Sequence, residues 1–205
     1  MINYWSFNSD IKDVIGGAHL LNDINAGLTT DRFGRPISAL DLNLGCYKIP
    51  NGNFFLTGQF TITVWIKLRD YGNYPCIVTF SGVNYLDLIF FGFNAASSRP
   101  EFSIYYGNTL IANSVSPLAI PLNEWTYLAI TFDQNFNYLL YVNANLIKSA
   151  NSNQSLKNIT RTLNYVGRGW YPNRPDLNGT IDELKMFNRA LSQQEIQIEM
   201  NNNIN

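Results

Sequence analysis

Apolar and polar positions alternate between Phe60 and Leu68: Phe60, Ile62, Val64, Ile66 and Leu68 fall on one face of a strand, Thr61, Thr63, Trp65 and Lys67 on the other. A period of two predicts an antiparallel strand with one side against a core. Shorter β-branched and aromatic runs, bounded by Gly, Pro, Asn and Asp, repeat the signal. They predict strands at Tyr4–Phe7, Ile77–Phe80, Tyr85–Phe91, Glu101–Tyr106, Leu110–Asn113, Trp125–Asp133, Tyr138–Val142, Leu146–Ala150 and Leu163–Gly167. Ala39–Leu42 and Cys46–Ile49 read as a hairpin turning at Asn43-Leu44-Gly45. From Gly179 a last strand places Asp182, Leu184 and Met186 on one face and Ile181, Glu183 and Lys185 on the other. A short helix follows, with Ser192 as N-cap and Glu195 at capping-box spacing. Many short strands at turn spacing and one C-terminal helix predict an all-β fold, a two-sheet antiparallel sandwich. A single domain over 1–200 and a polar tail over 201–205 account for the chain, with no internal repeat or linker.

Composition narrows the function classes. With 46% hydrophobic and 14% charged residues, the 205-residue chain can bury a sizeable core. A net charge of −1 leaves no basic footprint, so no nucleic-acid partner is expected. No apolar run is long enough to span a membrane as a helix. The first strand follows directly on Met1, with no basic and apolar leader, and the chain reads as a domain of a longer secreted or cell-surface protein. Cys46 and Cys76 make either one disulfide or two buried thiols. Sequons at Asn153, Asn158 and Asn178 suit a secreted glycoprotein.

The run Gly179-x-Ile181-Asp182-Glu183-Leu184-Lys185-x-Phe187-Asn188-Arg189-Ala190-Leu191-Ser192-x-x-Glu195-Ile196 resembles the closing signature of laminin G-like and pentraxin-like domains, within the concanavalin A-like lectin and glucanase superfamily. Tyr4–Asn8 resembles the opening strand of that family, Phe60–Lys67 its tryptophan-bearing strand and Asn123–Phe132 its central one. Leu140–Ile147 sits where the family reads L-Y-V-D-G, with Ala144 in place of the turn glycine. The resemblance covers nearly the whole chain in the expected order, and it implies a concanavalin A-like jelly roll.

Three chemistries follow as expectations. The superfamily's glucanases carry E-x-D-x-E along one strand, and retaining hydrolysis needs two carboxyls about 5–5.5 Å apart. This chain has no such alternation, its adjacent Asp182 and Glu183 point to opposite faces, and its single histidine, His19, lies in a Gly-rich loop; no enzyme is expected. Asp182 shares a face with core candidates and needs a partner. The resemblance implies a structural Ca2+ held by Asp182 with Asp10, Asp13 and the Gly45 carbonyl, oxygen ligands of the kind calcium prefers. The alternative is a carboxylate held by backbone N–H groups alone. Gly167–Asp176 concentrates Arg168, Trp170, Tyr171, Asn173, Arg174 and Asp176, an aromatic face with donors at its rim, as sugar binding requires. Against this, Trp170 could plug the sandwich edge, while Trp5, Trp65 and Trp125 read as core or sheet-packing residues. A loop with Tyr71, Asn73 and Tyr74 is a poorer candidate. The expected function is extracellular recognition or adhesion through a glycan at the rim, the alternative being protein–protein contact without a sugar site.

Overall fold

A computed structural model describes residues 1–72, 75–169 and 176–202. The strands are β1 (Asn3–Trp5), β2 (Leu21–Thr29), β3 (Ala39–Ile49), β4 (Phe60–Leu68), β5 (Cys76–Ser81), β6 (Ile89–Phe93), β7 (Pro100–Tyr106), β8 (Thr109–Val115), β9 (Trp125–Phe132), β10 (Asn137–Val142), β11 (Asn145–Asn151), β12 (Leu163–Val166) and β13 (Leu177–Phe187), followed by α1 (Gln193–Asn201). Hydrogen bonding runs β11-β10-β9-β4-β13-β3-β12-β5-β6-β7-β8, all antiparallel, with β1 on β13 and β2 on β3. The long strand β3 pairs through its first half with β13 and through its last residues with β12. It therefore belongs to two layers, and the ladder folds over into the expected jelly-roll sandwich.

The inward faces of the two layers make one core. Phe60, Ile62, Val64, Ile66 and Leu68 of β4 meet Phe80, Phe91, Phe102 and Ile104 of the opposite layer, all of them buried, as the alternation in β4 predicts. Phe60 and Phe132 stack at 5.9 Å between ring centroids, and Phe55 meets Phe80 edge-on at 5.3 Å. A second apolar cluster lies on the outward face of β9, β10 and β13, where Ile196 and Leu191 cover Tyr127, Ala129, Tyr141 and Phe187. The capping box that starts α1 forms as read, with the Ser192 side chain accepting from the Glu195 N–H and the Glu195 carboxylate from the Ser192 N–H.

Several readings are corrected. Asn43-Leu44-Gly45 is not a hairpin turn: β3 runs through it, and Leu44 (φ 51°) bulges out between residues paired with Asn178 and Leu177. β2 lacks an apolar alternation and lies as an exposed strand along β3. Val83–Tyr85 forms a 3-10 turn before β6, with Asn84 and Tyr85 at positive φ. Trp5 is fully buried, whereas Trp65 and Trp125 are half-buried on the outward face of β4 and β9. The two cysteines are free thiols, both buried, and burial pushes Cys46 up to about 12.

The closing strand holds the largest departure. Its ladder skips between Asp182 and Lys185, where Glu183 takes a left-handed backbone (φ 53°). The bulge resets the alternation, so that Ile181, Leu184 and Met186 all enter the core. Asp182 therefore does not share a face with Leu184 and Met186. Nor do Asp182 and Glu183 oppose each other: both lie on the outward side, where Arg32 and Lys185 meet them.

Candidate functional site

The stem of the predicted sugar loop is built from two adjoining layers of contact. At its base the Leu177 N–H donates to the Gly167 carbonyl at 2.7 Å, while the Gly167 N–H donates to Ile77 at 3.0 Å. Gly167 has φ 89°, and a Cβ there would collide with the Gly45 carbonyl, so glycine is required. One step outward, Arg168 grips Asp176 with two parallel hydrogen bonds, Nε to Oδ1 at 2.8 Å and Nη2 to Oδ2 at 2.5 Å. Such a fork is among the stronger side-chain contacts. The hydrogen bond to Asp176 raises the Arg168 guanidinium above its ordinary range. Arg168 and Asp176 thus hold each other and fix the ends of the loop. Trp170, Tyr171, Asn173 and Arg174 lie outside the described residues, as do Asn73 and Tyr74 of the second candidate loop. Tyr71 of that loop donates its hydroxyl to the Ile120 carbonyl at 2.8 Å.

Strand register brings to this stem residues that sequence position keeps far apart. Lys48, Tyr165, Thr79, Phe90, Ser103 and Asn113 form one row across β3, β12, β5, β6, β7 and β8. Their sequence neighbours Val166, Val78, Phe80, Ile89, Phe91, Phe102, Ile104 and Ala112 fill the core, so the row faces outward. The loop joins it directly: Thr79 Oγ1 donates to the Arg168 carbonyl at 2.9 Å, and the Arg168 guanidinium lies 5.5 Å from the centroid of the Tyr165 ring. Farther along, the Glu101 carboxylate accepts from Asn94, Ser103 and Asn113, each at 2.7 Å. This polar cluster is held in place by its own bonds. Thr79, Phe90 and Ser103 are buried within this row, whereas Tyr165 and Lys48 are half-buried and Asn113 is exposed. A half-buried aromatic ring beside a guanidinium can stack and bond a sugar.

The residues expected to hold calcium each have partners within the protein. Asp182 is buried and ion-paired to Arg32. Burial raises its carboxyl to about 7, an effect that Arg32 only partly opposes. Asp13 accepts from the Asn3 amide at 2.6 Å and from the N–H groups of Tyr4, Ile15, Gly16 and Ala18 at 2.9–3.1 Å. Burial would raise the Asp13 carboxyl, but these donors outweigh it and hold it below the usual carboxylate range. Asp10 is at the surface beside Lys12, 3.5 Å away, and Gly45 pairs with Leu177 in the ladder. Among the described residues no three His, Cys, Asp or Glu side chains are arranged to hold a metal ion. N–H donors bond both oxygens of Asp13, and a guanidinium meets one oxygen of Asp182.

Asp182 and Glu183 are equally committed. Lys185 Nζ lies 3.1 Å from Glu183 and 3.2 Å from Glu199, and the Tyr4 hydroxyl donates to Glu183 at 2.8 Å. With side chains 1% and 2% exposed, the two carboxyl groups are structural, buried against Arg32 and Lys185.

Residues 45–197 match the family Laminin_G_3, described as the concanavalin A-like lectin/glucanases superfamily, and the chain belongs to that family. None of the curated proteins matches this sequence. Among solved structures, domain 4 of AbnA, a GH43 extracellular arabinanase from Geobacillus stearothermophilus in complex with arabinotriose, is similar over 97% of both chains with a TM-score of 0.75 and 16% identity. A structure concerning botulinum neurotoxin type C, whose cell entry depends on interaction with two ganglioside molecules, is similar over 98% of this chain and 50% of its own, with a TM-score of 0.70 and 14% identity. The chain therefore spans about half of that molecule's length. The CBM40 of Ruminococcus gnavus IT-sialidase, bound to α2,3 sialyllactose, is similar over 68% of this chain and 81% of its own, with a TM-score of 0.57 and 15% identity. At these identities the likeness is one of fold.

Proposed function

We propose that this laminin G-like domain is a non-catalytic carbohydrate-binding module of a longer secreted or cell-surface protein. A glycan stacks on the half-buried Tyr165 ring of the outward row, beside Arg168. The observation that carries this reading is the Arg168–Asp176 fork, which sets the two ends of an aromatic- and amide-rich stretch of sequence beside Tyr165 and Thr79. Structural neighbours solved with arabinotriose and with sialyllactose support the assignment to carbohydrate. The burial of Asp182 and Glu183 against cations supports a role without hydrolysis.

The test is a glycan array with the wild-type chain, followed by affinity measurements on Trp170→Ala and Tyr165→Ala. Each variant should weaken binding at least tenfold, about 1.4 kcal/mol, the upper range of a stacked aromatic contact. Melting temperatures should stay within about 2 °C of wild type, a change below roughly 1 kcal/mol. A chain that binds no glycan on the array would return the domain to protein–protein adhesion. A large stability loss in Trp170→Ala, with affinity unchanged in the folded fraction, would make that tryptophan a plug in the sandwich edge.

A further inference from the structure

The outward face of the other layer carries an aromatic groove that the glycan-binding reading does not use. Trp65 of β4 and Trp125 of β9 make its floor; Trp65 pairs with Tyr127 and Lys67 with Trp125, so the two indoles are diagonal neighbours on adjacent strands. Arg32 and Phe33, from the segment between β2 and β3, form one wall, and Met200 and Asn201 at the end of α1 form the other. The open groove has a volume of about 360 Å³. Phe33 is 51% exposed. The contrast with Trp5 is informative: that indole is fully buried, and its N–H donates to the Ala18 carbonyl at 2.9 Å.

The groove also carries donors in search of acceptors. The Arg32 guanidinium lies between two rings, 4.4 Å from the centroid of Phe33 and 5.0 Å from that of Trp65. One of its amino groups is committed to Asp182; its other N–H groups meet no protein acceptor among the described residues, although the side chain is only 6% exposed. Guanidinium N–H groups without a protein acceptor can bond a ligand held in the groove. Lys67 Nζ stands 5.3 Å from the centroid of the Trp125 ring and has no carboxylate in ion-pairing range among the described residues. Two cations thus border the groove, and only one of them has an anion.

We propose that this groove is a second carbohydrate site, for an acidic oligosaccharide that carries uronic or sialic acid. The apolar C–H face of a pyranose ring stacks on Trp125 and Trp65. Its hydroxyls accept from the free N–H groups of Arg32, and its carboxylate comes to Lys67. This site lies on the opposite side of the sandwich from the Tyr165 row, so it stands whether or not that row binds a glycan.

Isothermal titration of the 205-residue chain against oligogalacturonate, 3′-sialyllactose and a neutral maltooligosaccharide tests the assignment. At least one acidic probe should bind, more weakly as salt rises, and the neutral one should bind at least tenfold less well at this groove. Lys67→Gln should weaken the acidic probe five- to tenfold and flatten the salt dependence. Trp125→Ala should abolish binding, and Trp125→Phe, which keeps a ring in place, should retain part of it and confirm that the fold is intact. Trp170→Ala should leave this affinity unchanged. No heat with either acidic probe, an unaltered affinity in Lys67→Gln, or loss of acidic binding in Trp170→Ala would each overturn the proposal. The last outcome would move the ligand to the Tyr165 row, whereas failure of that row alone would leave the Trp125 effect standing.

Discussion

Removing Arg32 while keeping Asp182 should make the stability of this domain depend steeply on alkaline pH. Burial raises the Asp182 carboxyl from 3.8 to about 7, despite the adjacent guanidinium. A folded-state value above the unfolded one means that this stability is fully present below pH 3.8 and is lost as pH rises through about 7. Over that span the loss is roughly 4 kcal/mol, and above pH 8 it stays constant. In Arg32→Met, a chain of similar length still fills the space between Phe33 and Trp65, but nothing opposes burial of the carboxylate. The loss should then continue above pH 7 and exceed that of the wild type by about 3 kcal/mol, the lower range for breaking a buried pair. For a domain of this size that is roughly 6–12 °C in melting temperature. Circular-dichroism melts at pH 5, 7 and 8.5 give the readout. At pH 5 Asp182 is protonated in both folded proteins, so the two curves should nearly coincide; by pH 8.5 they should part. The window stops at pH 5 because Asp13, Asp31 and Asp87 are held low by their hydrogen-bond donors, and more acid would remove what they contribute. Arg32→Met with Asp182→Leu should erase the extra dependence. An equal deficit at pH 5 and pH 8.5 would show that Arg32 acts by packing alone, and the electrostatic argument would fall.

Three further outcomes are expected. Asp13→Ala strands the N–H groups of Tyr4, Ile15, Gly16 and Ala18, and should cost about 2–4 kcal/mol in urea unfolding, with faster hydrogen exchange confined to the N-terminal loop; unchanged exchange there would contradict the anchoring role. Arg161 is fully buried over the Phe55 ring, its three guanidinium nitrogens have no partner among the described residues, and burial lowers it to about 10. Arg161→Met should therefore leave the urea midpoint unchanged or raise it, and a fall worth more than about 2 kcal/mol would reveal a bound partner. Gly167→Ala should destabilise the chain by more than about 1 kcal/mol through its positive φ and the Gly45 carbonyl, and a neutral result would mean the stem can open.

How much of this was legible in the sequence depended on how local each cause is. The alternation in β4 and the Ser192–Glu195 capping box are set by neighbours within one strand or one turn, and both are present. The bulge at Glu183 is not local. It forms where β1 brings Trp5 opposite Leu184 while β4 pairs on the other side, and the alternation Ile181-Asp182-Glu183-Leu184 carries no sign of it. For that reason the alternation gives Asp182 the wrong face and the wrong partner, although its burial is as expected. β2 left no signal because an exposed edge needs no apolar period, and Asn43-Leu44-Gly45 reads as a turn because a bulge and a turn draw on the same residues. At the candidate site, the clamp partners Arg168 and Asp176 stood in the predicted loop. The Tyr165–Thr79–Phe90–Ser103–Asn113 row depends on register between distant segments and was invisible.

The place of β13 between β4 and β3 has a consequence for how the domain is made. Translation supplies β3 and β4 early in this domain and β13 after every other described strand, so the central seat of one layer stays empty until β13 emerges. Until then a nascent chain carries two facing rows of unpaired backbone groups, on strands rich in Ile, Val, Leu and Phe. Open edges of that kind recruit other strands, and contacts this distant along the chain form slowly. A ribosome stalled before Leu177 would release not a shorter domain but an adhesive one, with the gap that β13 fills offered to whatever extended segment arrives first.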